Sequence, residues 1–279
     1  MALITNLASG QRAGFARGSK TPWLLPAAAV RGGLGVLAAL ILLEAASRSG
    51  LLPAQYFPPV SLTFLQLLHE LTQATLWVAV GQTMAGWAAG LLLAVVVAVP
   101  AGLLIGSVKP LFHASRIVVE FLRPIPSVAL VPLAVLVFGA GLEMKVFLVV
   151  FACTWPLLFQ TMYGVRDVDP TVLATARVYG LPAHARFVKV VLPSAMPYIA
   201  TGLRISAAIG LILAVTAEIV VGAPGIGRLI LDAQSVNATT TMYALVAVTG
   251  LLGLLINLLV RLVEKRVLAW HVSVRGVTL

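Results

Sequence analysis

Acidic side chains are scarce in this sequence, and so is charge of any kind. Nine aspartates and glutamates stand against 19 lysines and arginines in 279 residues, and charged residues make up only 10% of the chain. A soluble domain of this size needs a charged surface to stay in solution, so a soluble fold is excluded. Cysteine is nearly absent: Cys153 alone permits neither an internal disulfide nor a CxxC metal pair. His69, His113, His184 and His271 are scattered over separate segments, with no HExxH pattern and no His/Cys pair at ligand spacing. There is no G-x-S-x-G elbow. No Gly-Lys pair occurs anywhere, which rules out a P-loop of the GxxxxGK(S/T) kind. These absences point away from catalysis by this chain, and leave it with no metal and no bound cofactor of its own.

What the chain has is apolar length. Hydrophobic residues make up 60% of it, the mean hydropathy is +1.04, and several runs exceed the ~18 apolar residues that mark a spanning helix. Only helices and closed barrels satisfy the backbone in lipid, and runs without period-2 alternation select helices. The sequence predicts an all-α, multi-pass membrane protein with about six transmembrane helices, at 30–47, 76–105, 116–138, 146–164, 198–221 and 242–260. Arg12, Arg17 and Lys20 before the first apolar run imitate a signal peptide, but further spans follow and an uncleaved first helix is expected.

The organisation expected is a tail at 1–23, the first span and an external segment at 24–75, a core at 76–270 and a tail at 271–279. The external segment contains an amphipathic piece, LTFLQLLHEL. Gly86-x-x-x-Gly90 and Gly102-x-x-x-Gly106 in the second span are spacings that permit close helix packing. The third span carries Pro124, Pro126 and Pro132, so it is expected to be kinked or discontinuous.

Orientation follows from lysine and arginine placement. All but three of the 19 fall on one side of the six-span arrangement; Arg48, Lys145 and Arg228 stand opposite. The basic excess is therefore a topology signal and not a nucleic-acid footprint. It puts both termini and the polar stretch at 165–197 in the cytoplasm.

That stretch, VRDVDPTVLATARVYGLPAHARFVKVVLPSAMP, is the longest polar interruption between apolar runs. Asp169-Pro170 reads as an N-cap followed by proline at the first helical position. About ten helical residues then meet Gly180, suited to a left-handed C′ conformation. Leu181-Pro182 opens a second short helix at 181–191, which Pro193 is expected to end or kink. Ala183, Phe187 and Val190 share one face of it. Such an element can insert into a groove of a partner protein, or rest on lipid headgroups with its arginines on phosphates.

The spacing within this stretch resembles the "EAA" loop of permease subunits of ATP-binding-cassette importers, E-A-A-x-x-x-G-x(9)-I-x-L-P. Ala176, Gly180, Leu192 and Pro193 match it. Val190 replaces isoleucine, Ala174 takes the glutamate position and Thr175 the first alanine. FLRPIPSVALVPLAVLVFGAG, FLVVFACTWPLLFQTMYGVRDVDP, LPSAMPYIATGLRISAAIG and AEIVVGAPGIGRLI are similar to the sulfonate/nitrate/taurine branch of these permeases. Several motifs thus occur in the family's order over roughly 76–270.

The resemblance implies a type I importer permease fold in the cell membrane, working as a homodimer. Two cytoplasmic ATPase subunits would carry the ATP and magnesium, and an external solute-binding protein would deliver a small solute, in this branch often a sulfonate, taurine, nitrate or bicarbonate. It further implies that Leu181, Pro182, Ala183, His184 and Phe187 belong to a coupling helix whose angle Gly180 sets. A secondary transporter or channel is the competing class, suggested by the proline-broken third span; no mirrored proline cluster occurs in the C-terminal half.

Glu218 is the one acidic residue well inside the fifth apolar run, with Thr216 nearby. An intramembrane carboxylate is a candidate for the substrate path. The structural alternative places it near the outer headgroups or against Arg228. Arg204, near the inner end of the same run, is suited to attract an anion and equally fits the positive-inside pattern.

Overall fold

A computed structural model describes residues 27–53, 55–122 and 125–269. The terminal tails, with Arg12, Arg17, Lys20, Trp270, His271 and Arg275, lie outside the described residues, as do Arg123 and Pro124. Among the described residues the fold is helical, with no strand.

The chain opens with α1 (Ala27–Arg48) and α2 (Val60–Glu70). Glu44 near the end of α1 accepts from the Ser61 amide (3.0 Å) and hydroxyl (2.7 Å) at the start of α2. Arg48 closes this joint, 2.5 Å from Glu44. α2 is the expected amphipathic piece, and Leu67 packs on the core cluster around Leu76. α1 leaves most of its apolar side chains exposed, as a helix facing lipid does.

The core is three long helices: α3 (Ala74–Ser107), α6 (Leu142–Arg166) and α9 (Leu192–Val221). The two glycine pairs of α3 let α6 approach closely. A β-carbon at Gly90 would sit 2.6 Å from Cβ of Val149, and one at Gly102 would sit 2.7 Å from Cβ of Thr161. Gly86 faces Lys145 and Gly106 faces Val165, so α3 and α6 run parallel. α9 runs antiparallel to α6: Gly164 meets Tyr198, Gly202 meets Gln160, and Gly210 meets Cys153. Ser206 and Cys153 bond across that contact, Ser206 Oγ donating to the Cys153 carbonyl at 2.9 Å. Cys153 is buried and unpaired.

The third span is discontinuous, one of the two forms expected, and does not run as a single span over 116–138. The chain forms an amphipathic helix, α4 (Lys109–Leu122), then a 3₁₀ turn (Ser127–Leu130) and the short α5 (Val131–Phe138). Pro126 precedes the 3₁₀ turn and Pro132 sits in the first turn of α5, where a missing amide costs no hydrogen bond. Among the described residues five helices are long and apolar enough to cross a membrane, and Ser127–Phe138 is too short to count among them. Because α3 and α6 are parallel, the chain between them must return to the other end of the bundle. α5 completes that return, with Val131 and Ala134 packed among Met144, Leu148, Leu213 and Ala217.

α7 (Pro170–Val178) follows α6, then α8 (Ala183–Arg186), a π-helical turn (Phe187–Val191) and α9. Of the two outcomes expected at Pro193, an end or a kink, the structure excludes the end: Ala183–Val221 is one continuous helical run. The π turn directly before Pro193 is where the backbone absorbs the missing amide. α10 (Ile226–Ser235) and α11 (Thr239–Val267) complete the fold, with α11 against α2, α9 and α10.

Candidate functional site

The 165–197 loop is built by local rules that its sequence spells out. Asp169 Oδ1 accepts from the Thr171 amide at 2.7 Å, capping α7 with Pro170 at its first position. Gly180 has φ +72°, a left-handed conformation that side chains with a β-carbon disfavour. Around it the Gly180 amide bonds to the Arg177 carbonyl (2.9 Å) and the Leu181 amide to Ala176 (3.1 Å), the reciprocal pair of a Schellman stop. Arg186 then donates back to the Leu181 carbonyl at 2.8 Å, fixing α8 against the turn.

The loop is tied to the spans at both ends. Tyr198 in α9 donates to the Asp167 carboxylate just after α6. The Arg166 guanidinium lies 3.9 Å from the centre of the Phe112 ring, linking α6 to α4. A cleft of about 570 Å³ opens between α7 and the start of α9, with Asp167, Val172, Lys189, Pro193 and Tyr198 in its wall.

The predicted loop residues come together at this end of the bundle. Ala176 is buried under α7; Ala174, Gly180, Pro182, Ala183 and His184 are exposed; Leu181, Phe187, Leu192 and Pro193 are half-buried. Sequence reasoning missed the loop's most exposed apolar side chains, Val178 at 86% and Tyr179 at 79%. Their signal was available: both directly precede the stop glycine, where a helix's last turn faces outward. With Val172 and Val188 they leave the loop an uncovered apolar surface.

At the opposite end, roughly 40 Å along α9 at about 1.5 Å per residue, Glu218 lies in a closed network and is 0% exposed. Lys145 Nζ donates to Glu218 Oε1 (3.0 Å) and to the carbonyls of Gln82 (2.9 Å) and Pro224 (2.8 Å), so all three ammonium hydrogens are used. Thr83 donates to the carboxylate at 2.9 Å and accepts from the Ile226 amide at 3.0 Å. The Gly227 amide bonds Oε2 at 3.0 Å. Glu218 therefore receives one amide of the first turn of α10 directly and a second through Thr83, at a helix end where a negative charge is favoured.

The expected structural partner of Glu218 was Arg228, and this is corrected. Arg228 instead bonds Asp232 (2.8 Å) and the Gly222 carbonyl (2.8 Å). Lys145, placed by charge counting in an outer turn, is a buried residue of α6 with 2% exposure. Thr216 is half-buried nearby on α9. Neither Thr216 nor Glu218 lines an apolar groove of about 790 Å³ between α9, α10 and α11.

No group of three or more His, Cys, Asp and Glu side chains suited to a metal occurs among the described residues. The arrangement is an anchored loop at one end, a locked joint at the other, and long helices between them.

Comparison with known proteins agrees with this geometry. Residues 90–269 match the model of the family described as "Binding-protein-dependent transport system inner membrane component". The chain is 32% identical over 180 residues to a nitrate import permease of Leptolyngbya laminosa, covering 64% of this chain and 64% of that protein. It is 30% identical over 202 residues to the taurine transport system permease of Escherichia coli (strain K12), covering 72% and 74%. The chain thus spans about two thirds of the length of the curated relatives it matches. In fold it is similar to a chain of the MetNI methionine ABC transporter in an inward facing conformation, with TM-score 0.61 and 18% identity over 70% of this chain and 99% of that one. The match covers α6, the capped loop and α9 through α11, and the chain belongs to this family of integral-membrane ABC-transporter permeases.

Proposed function

We propose that this chain is the transmembrane subunit of an ATP-driven importer in the cell membrane. It forms the translocation path for a small anion of the nitrate, sulfonate, taurine or bicarbonate kind. The observation that carries the reading is the 165–197 loop: a capped, basic element that leaves Val172, Val178, Tyr179 and Val188 uncovered. A monomer gains nothing from such a surface, whereas a docking groove on another protein would bury it. The nitrate and taurine relatives supply the substrate class.

In this reading the loop faces the cytoplasm and seats on a separate ATPase, which holds ATP and magnesium. Two copies of the chain pair, each with its own ATPase, and an external solute-binding protein delivers the anion to the opposite end. Closure of the ATPases moves α8. Because α8, the π turn and α9 form one helical run, that motion reaches α9 directly, and Tyr198–Asp167 and Arg166–Phe112 carry it to α6 and α4. The Lys145–Glu218 joint holds the far ends of α3, α6 and α9 together as they move.

The test is uptake into proteoliposomes holding the permease with its ATPase and binding protein, using nitrate, ethanesulfonate, taurine and bicarbonate. Accumulation of at least one, dependent on ATP and on the binding protein, is expected. Equal transport by the permease without the ATPase would overturn the reading.

A further inference from the structure

The groove between α9 and α11 runs from Arg204 to Ile219 on one wall and from Val246 to Asn257 on the other. Besides Arg204, Thr249 and Asn257, its lining side chains are aliphatic, alanine or glycine, so Arg204 is its only charge. Arg204 stands at the end of the groove nearer the loop. One arm of its guanidinium donates to the Glu264 carboxylate on α11. Its Nε is buried without a hydrogen-bond partner.

A guanidinium presents five donors in a planar fork, and its usual carboxylate partner takes two at once. Here Glu264, which does not line the groove, engages the fork from one side and leaves donor capacity unused beside a space of small-ligand size. The fork's geometry suits a planar or tetrahedral oxyanion. In an apolar wall its charge also repels cations and favours anions over neutral solutes.

We propose that Arg204 is the anion-contacting residue of the translocation path, and that Glu264 holds its guanidinium between transport events. A passing oxyanion in the groove bonds the donors of the fork that Glu264 leaves free, and releases them on leaving. This rests on the importer reading above and names the residue that selects its substrate class. The plain alternative is a tie between α9 and α11 with no part in selection.

Two substitutions separate these in the reconstituted complex, with nitrate and taurine as probes. A structural tie loses the same contact from either side, so Arg204→Gln and Glu264→Gln would impair uptake equally. On the proposal they differ. Arg204→Gln lowers uptake of the transported anion at least about tenfold, the loss of one charge-assisted hydrogen bond, while Glu264→Gln stays within about threefold of wild type. Arg204→Lys, which keeps the charge and loses the fork, falls between them. Equal losses, or full uptake by Arg204→Gln at wild-type protein levels, overturn the assignment and leave the importer reading standing. A wild-type complex that moves none of nitrate, ethanesulfonate, taurine and bicarbonate overturns both.

Discussion

Removing the ammonium of Lys145 would leave the Glu218 carboxylate in an apolar bundle with only Thr83 and one amide. Breaking a buried pair from one side costs about 3–5 kcal/mol, because the remaining charge is uncompensated. Lys145→Met is therefore expected to lower the thermal unfolding midpoint in detergent sharply and to reduce membrane yield. Lys145→Met combined with Glu218→Leu should recover part of the loss, since no charge is then stranded; a double variant no better than the single would count against the pairing. This joint was half legible in the sequence. Glu218 stood out as an intramembrane carboxylate, but its partner did not. Lys145 sits 73 residues away in a stretch that reads as an outer turn, and only the antiparallel packing of α6 on α9 brings the two together.

At the scale of elements, the glycine pairs of α3 make the parallel contact with α6. Gly90→Leu would push its side chain into Val149 and is expected to destabilise the bundle by about 1–3 kcal/mol, read as a loss of monodisperse protein on size exclusion. The π turn makes a second prediction. Deleting the exposed Val188 converts Phe187–Val191 towards α-helix and rotates α8 by about 100° relative to α9. The core is untouched, so membrane insertion should persist while ATP-dependent uptake falls at least tenfold; unchanged uptake would show that the register of α8 is immaterial. The Asp169 cap and the Gly180 stop were readable from residue type alone, because both act within a few residues. The π turn was not, because proline signals an interruption without saying whether the helix ends, kinks or is rewound. The split of the third span was foreshadowed by three prolines, but the place of α5 depends on packing against α6 and α9.

For the whole molecule, long apolar runs carried most of what the chain is, since lipid leaves helices few alternatives. What stayed out of reach was the groove of α9, α10 and α11, whose walls are apolar residues like any in a spanning helix. The sidedness has its own check. With Cys153 buried, a cysteine at His184 should react with a membrane-impermeant maleimide only from the cytoplasmic face, and one at Ser235 only from outside; the reverse pattern would invert the topology.

The central claim is that the loop transmits ATP hydrolysis into transport, and Gly180 is the residue on which to measure it. No atom lies within 4 Å of a β-carbon placed there, so the penalty of a substitution is backbone conformation and not crowding. Asparagine tolerates the left-handed region and a β-branched residue does not. Nitrate or taurine uptake should be measured beside ATP hydrolysis in the reconstituted complex. The prediction is that Gly180→Asn keeps the two coupled, whereas Gly180→Val inserts and assembles normally, hydrolyses ATP and accumulates little anion. Normal coupled uptake by Gly180→Val would contradict it.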